Sequence, residues 1–179
     1  VDTIRVLIKL GANVNKGDDN RRTPLYYAAH ENNIDAIRVL VELGADVSKG
    51  QNNGRSPLHS AARKNSVDAI RVLHELGADV NKGDDTGWTP LHSAAQENSV
   101  DAIRVLHELG ADVNEGDDDG WTPLHSAARK NSADAIRLLH ELGGDVNKGD
   151  DDGRTPLHSA AQENSVDAIR VLHELGADV

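Results

Sequence analysis

The sequence predicts an all-α repeat array, in which one helix–turn–helix unit with a hairpin-like finger is copied in tandem. Three observations predict it. The triplets Thr23-Pro24-Leu25, Ser56-Pro57-Leu58, Thr89-Pro90-Leu91, Thr122-Pro123-Leu124 and Thr155-Pro156-Leu157 recur every 33 residues, the mark of one supersecondary unit repeated. Each is followed by a second apolar run that ends in Leu-Gly, as at Leu109-Gly110. Phe, Met and Cys are absent and there are only two Trp and two Tyr. That is thin material for a conventional core, but Leu, Ile, Val and Ala suffice where each unit touches only its neighbours.

Residues 1–17 are a partial unit, because Val1-Asp2-Thr3-Ile4-Arg5-Val6-Leu7 aligns with Val100-Asp101-Ala102-Ile103-Arg104-Val105-Leu106. Full units follow at 18–50, 51–83, 84–116 and 117–149, and 150–179 is a nearly complete one, all within a single domain. The chain enters mid-pattern at Val1 without Met, so a piece of a longer protein is expected.

In the unit 84–116, Asp84-Asp85-Thr86-Gly87 reads as a turn, with the glycine free to take a positive φ. Thr89 is a natural N-cap, and Pro90 suits the first helical position, where its missing N–H costs nothing. Leu91, Ala94 and Ala95 form one apolar face, and the alanines let a neighbour approach closely. Asn98 ends this short helix in the left-handed conformation. Ser99 is expected to cap the next helix, with Asp101 complementing its dipole. Ile103, Val105, Leu106 and Leu109 supply its apolar surface, and Gly110 ends it. Ala111-Asp112-Val113-Asn114 then runs extended into the next turn.

The formal net charge of −11 argues against nucleic acid and anionic membranes as partners. No apolar run is long enough to span a bilayer. The lack of cysteine suits a reducing compartment, so an intracellular, cytoplasmic location is expected.

Thr-Pro-Leu-His, then Ala-Ala, then Leu-Gly-Ala-Asp-Val-Asn at a 33-residue period resembles the ankyrin repeat, and the resemblance covers the whole chain. It implies an all-α ankyrin-repeat solenoid: antiparallel helix pairs stacked into a curved array, with projecting β-turn or hairpin fingers. It also implies a partner-binding concave side made of fingers and first helices, and no activity or cofactor. The chain departs from the family pattern. Asn32, Asn65, Asn98, Asn131 and Asn164 stand where Gly is usual. His74, His107, His140 and His173 replace Leu, which thins the second-helix core. Arg21 replaces the finger glycine and Tyr26 the motif histidine, so the finger of unit 18–50 is expected to be strained or rearranged. Arg63-Lys64 and Arg129-Lys130 alternate with Gln96-Glu97 and Gln162-Glu163, which points to duplication of a two-unit block.

The structural motif residues are Thr89, Pro90 and His92, with Thr122, Pro123 and His125. The resemblance implies that each motif imidazole, those of His59 and His158 included, bonds the motif Thr and the backbone of the next finger. The second row, His74 to His173, lacks carboxylate or Cys at ligand spacing and makes a poor zinc site, so no metal is expected. Joint protonation of that row is expected to loosen the stack in acid. The Asp-rich turns resemble calcium loops, but Ser126 stands where such a loop needs Glu. Leu73, Asp79, Val80 and Asn81, and their copies through Asn114 and Asn147, fit the family pattern around asparagines that an intracellular hydroxylase modifies.

Two rows are candidates for binding. The residue after the finger glycine reads Arg22, Arg55, Trp88, Trp121, Arg154. Exposed Trp flanked by Arg has hot-spot chemistry; in the other reading each indole packs on the neighbouring finger and stiffens the array. The first-helix ends carry Arg63, Lys64, Gln96, Glu97, Arg129 and Lys130. These form either a charge-striped surface that selects a partner or mutually neutralising exposed pairs such as Lys64 with Glu97. A non-enzymatic protein-interaction scaffold is therefore expected, because catalytic residues would break the repeat rather than be copied in it. The alternative is a structural spacer. Ile4, Leu7 and Ile8 with Val1, and Val166, Ile169 and Leu172, lie on terminal helices without polar caps, so fraying or end-to-end stacking of copies is expected.

Overall fold

The computed structural model describes residues 2–178. It contains α1 (Asp2–Lys9), then five pairs of a short and a longer helix: α2 (Pro24–His30) with α3 (Ile34–Glu42), α4 (Pro57–Arg63) with α5 (Val67–Glu75), α6 (Pro90–Gln96) with α7 (Val100–Glu108), α8 (Pro123–Arg129) with α9 (Ala133–Glu141), and α10 (Pro156–Gln162) with α11 (Val166–Glu174). Each short helix packs on the short helices before and after it, and the longer helices form a second layer.

The short helices start where the sequence places them. Thr89 lies in extended backbone as N-cap and its hydroxyl accepts from the His92 backbone N–H, while Pro90 takes the first helical position. They stop after seven residues because Asn follows in the left-handed region, at φ 52° to 56° for Asn32, Asn65, Asn98, Asn131 and Asn164. The core is a ladder of Leu25, Leu58, Leu91 and Leu124 on the short helices against Ile37, Ile70, Ile103 and Ile136 on the longer ones, with Leu73, Leu106, Leu139 and Leu172 beside them. Full burial of one such side chain contributes about 2 kcal/mol. Alanines such as Ala61, Ala94 and Ala127 are fully buried between helices, where anything larger would push units apart.

The cap of the longer helices differs from expectation. Ser99 makes no side-chain cap bond; its Oγ donates back to the Arg63 carbonyl at 3.2 Å. The capping acceptor comes from the previous unit. Asn65 Oδ1 accepts from the Ala102 N–H at 2.8 Å, and Asn65 Nδ2 donates to Asp101 at 3.0 Å. Asn98 and Asn131 repeat the bond to Ala135 and Ala168. The left-handed asparagine thus ends one helix and caps the next unit's helix at once.

Among the described residues no strand forms, so the fingers are turns rather than hairpin ladders. Each closes on itself, as in Asp84 N–H to the Trp88 carbonyl at 2.9 Å, and joins the next by one backbone bond, as in Asp118 N–H to the Thr86 carbonyl at 3.0 Å. A Cβ on Gly87, at φ 76°, would lie 2.6 Å from Asp118 Oδ1. Arg21 occupies that conformation at φ 59°, opposite Asn52, so the finger of unit 18–50 keeps its turn at the cost of backbone strain.

At the ends, Leu7 and Val166 are about half exposed and Ile4, Ile8 and Ile169 partly buried. Leu172 departs from the expected open end, being fully buried. Val1 lies outside the described residues. No helix among the described residues is long and apolar enough to cross a membrane.

Candidate functional site

Two structural rows hold the units together beneath any surface that a partner could use. In the first, His92 Nδ1 accepts from the Thr89 N–H at 3.1 Å and lies 2.8 Å from the Thr89 hydroxyl. His92 Nε2 donates to the carbonyl of Trp121, in the next finger, at 2.7 Å. His59 and His125 do the same toward Trp88 and Arg154. Nδ1 must be bare to accept and Nε2 protonated to donate, so the neutral tautomer is built in. Burial pushes the His59 and His92 imidazoles down to about 4, and burial lowers His125 likewise. In the second row, Asn81 Nδ2 donates to the Gly110 carbonyl at 3.0 Å and its Oδ1 accepts from the Asp112 N–H at 3.1 Å. Asn114 and Asn147 continue this row with Gly143, Asp145, Gly176 and Asp178. Ser48 stands in that row's place between Asn15 and Asn81. There the seam opens into a cavity of about 150 Å³ beside Val47, Ser48 and Ala78.

The other histidines differ. His74, His107 and His173 are exposed and His140 partly buried. Burial opposes protonation at His59, His92 and His125. Among the described residues no three His, Asp or Glu side chains gather as a metal site would need.

The row after the finger glycine does not form one exposed stripe. Trp88, an exposed contact in one reading and packed on the neighbouring finger in the other, is 7% exposed. Its Nε1 donates to Ser93 Oγ at 3.2 Å and its ring lies 5.0 Å from that of His92. His92 and Ser93 of the short helix, with the Arg55 guanidinium 5.7 Å over the ring, supply the cover that a finger alone lacks. Trp121 is partly buried. It reaches across to the next finger, where Nε1 donates to Asp150 Oδ2 at 2.8 Å, and the Arg129 guanidinium lies 5.1 Å over its ring. Arg55 also reaches across, its Nε donating to Asp84 at 2.9 Å. Arg154 and Arg22 turn to the aspartates of their own fingers, Asp150 at 2.9 Å and Asp18 at 3.6 Å.

These partners set the finger carboxylates. Burial pushes Asp84 up, but the Thr86 N–H and the Arg55 guanidinium outweigh it and hold the carboxyl below its ordinary range. At Asp117, which Trp88 does not reach, burial prevails with help from Asp119 and Asp118, and the carboxyl is raised.

The first-helix ends are brought together. Arg63, Gln96, Glu97 and Lys130, with Asn98, Asn131 and Ser132, line an open depression of about 550 Å³. The expected pairing of Lys64 with Glu97 is replaced by Arg63 with Glu97 at 3.2 Å, because Arg63 ends α4 on the face toward the next unit. Lys64 is exposed and outside the depression, and Arg129 is withdrawn onto Trp121. A ladder not anticipated from spacing lies on the longer helices: Arg5 to Glu42, Arg38 to Glu75, Arg71 to Glu108 and Arg137 to Glu174. Its pairs are exposed, so solvent screens them and they add little to stability. The 37-residue separation was the available signal.

The family model for ankyrin repeats matches the chain in three copies, over residues 1–51, 48–117 and 106–179. A comparison with the curated proteins finds no match.

Proposed function

Since the chain belongs to the ankyrin-repeat family over its whole length, we propose that it is a non-enzymatic scaffold that takes a protein partner across the ends of α4, α6 and α8. Ankyrin repeats are in general protein–protein interaction modules. The observation that carries the reading is the polar depression lined by Arg63, Gln96, Glu97 and Lys130. Arg63, Gln96, Glu97 and Lys130 stand at positions that vary between otherwise repeated units. Arg55 and the Trp121–Arg129 pair flank it as contact residues, whereas buried Trp88 acts as a stiffener. The burial of Trp88 favours the spacer reading for that residue, and so the depression rather than the indole row is the place to test.

The test is affinity capture with Gln96→Arg/Lys130→Glu beside Arg104→Glu, which alters an exposed position on a longer helix. Loss of a captured protein with the first variant alone supports the reading. Equal capture by both, or none by the parent chain, leaves the spacer as the function.

A further inference from the structure

Beside the depression lies a smaller, deeper cavity of about 70 Å³, lined by Arg55, Arg63, Ser60, Ser93, Asn53 and Gln51 among others. In the next unit the indole of Trp88 lies over the short helix and bonds Ser93. In unit 51–83 Arg55 turns to Asp84, and no indole bonds Ser60. Ser60 is 3% exposed, yet its Oγ has no hydrogen-bond partner among the described residues. A buried hydroxyl without a partner loses about 1–3 kcal/mol of solvation, which a group that bonds it beside the two arginines would recover.

The two guanidiniums are available. Arg55 commits Nε to Asp84 and the face of its guanidinium to the Trp88 ring, 5.7 Å away, and Arg63 commits Nε to Glu97. Their terminal nitrogens, with four N–H donors apiece, make no bond among the described residues. The cavity has room for roughly two waters, which is the size of one carboxylate. A phosphate brings a second negative charge and a fourth oxygen into a site already held between Asp84 and Glu97.

We propose that this cavity is an anchor subsite for a single carboxylate, an Asp or Glu side chain of the protein partner, held by Arg55 and Arg63 and by a hydrogen bond from Ser60. The inference rests on the scaffold reading above, since Arg63 lines both hollows and joins the subsite to the depression. Arginine suits planar recognition of this kind.

The test uses the full chain without a partner, so its result is separate from the capture experiment. Sodium acetate, sodium phosphate and sodium chloride are titrated at constant ionic strength while the Arg55 and Arg63 Nε–H and Ser60 amide resonances are followed. Acetate should shift all three along one saturating curve. Arg55→Trp, which imitates the neighbouring unit, should weaken that curve roughly tenfold or abolish it. Ser60→Ala, which keeps both charges and cannot disturb a bond that Ser60 does not make, should weaken it several-fold. Shifts with acetate no larger than with chloride would show a water-filled gap and overturn the proposal. Tighter binding of phosphate than of acetate would overturn the carboxylate assignment, as would acetate binding indifferent to both substitutions.

Discussion

Units 51–83 and 84–116 share Pro-Leu-His-Ser-Ala-Ala and the same fold, and differ in the residue after the finger glycine, Arg55 in one and Trp88 in the other. Trp88 folds back onto its own helix and satisfies Ser93, leaving Asp117 of the next finger without a side-chain partner among the described residues. Arg55 reaches forward and satisfies Asp84, leaving Ser60 without one. Each seam thus closes on one polar group and strands another. Trp121 shows a third solution, reaching forward to Asp150 as Arg55 does, but with an indole. In an array of copied units, the finger side chain selects which polar group of the seam is satisfied.

The largest expected effect would not distinguish the two units, because both keep the same buried histidine. The unfolded imidazole binds a proton near 6.5, whereas His59 and His92 bind one only near 4 when folded. Acid therefore favours the unfolded chain. Stability should hold above about pH 6.5 and fall as pH drops toward 4, by about 3 kcal/mol for each of these rings. Urea midpoints across that range check it, and a curve flat down to pH 4 would contradict the built-in tautomer.

The second expectation separates the units. Trp88→Ala should cost about 3 kcal/mol, the usual loss for a large buried side chain. Arg55→Ala should cost roughly 2 kcal/mol, chiefly through the stranded Asp84 carboxylate. Equal urea denaturation losses would mean that the indole is not the stiffening element.

The third exchanges the two solutions. Trp88→Arg should let a guanidinium reach Asp117 and cost only about 1 kcal/mol. The Asp117 carboxyl should then move from above its ordinary range to below it, as Asp84 does beside Arg55. A carbon NMR titration of Asp117 reads this, and a carboxyl that stays raised would show that the fingers are not interchangeable.

The smallest effect concerns the serines. Ser93→Ala strands the Trp88 N–H and should cost about 1 kcal/mol. Ser60→Ala removes a hydroxyl that bonds nothing described and should change stability by less than about 0.5 kcal/mol. Similar losses at both positions would mean that Ser60 has a partner in the free protein.

Much of the scaffold was legible residue by residue. Pro90 after Thr89 marks a helix start, Asn98 its left-handed end and Leu91 with Ala94 its buried face, because these depend on backbone preference and on a 3.6-residue period. The polar bonds between units were less legible. Ser99 has the chemistry of a cap, yet Asn65 of the preceding unit supplies the acceptor. Lys64 and Glu97 look like a pair in the alternating row, yet Arg63 takes the place of Lys64. In both cases two side chains of suitable chemistry compete for one partner, and the offset between stacked units selects the winner.

By itself the sequence determined the repeat, its helices, its left-handed asparagines and its apolar ladder, since each follows from local conformation or from a period read along the chain. The direction of each finger side chain was decided only by the tertiary structure. Trp88 is buried because the short helix beneath offers the His92 ring and a serine acceptor and Arg55 covers it from the preceding finger, and Arg55 is drawn outward because a carboxylate waits in the next finger. Both destinations lie within reach of the same position, and only the packed neighbours settle which one is taken.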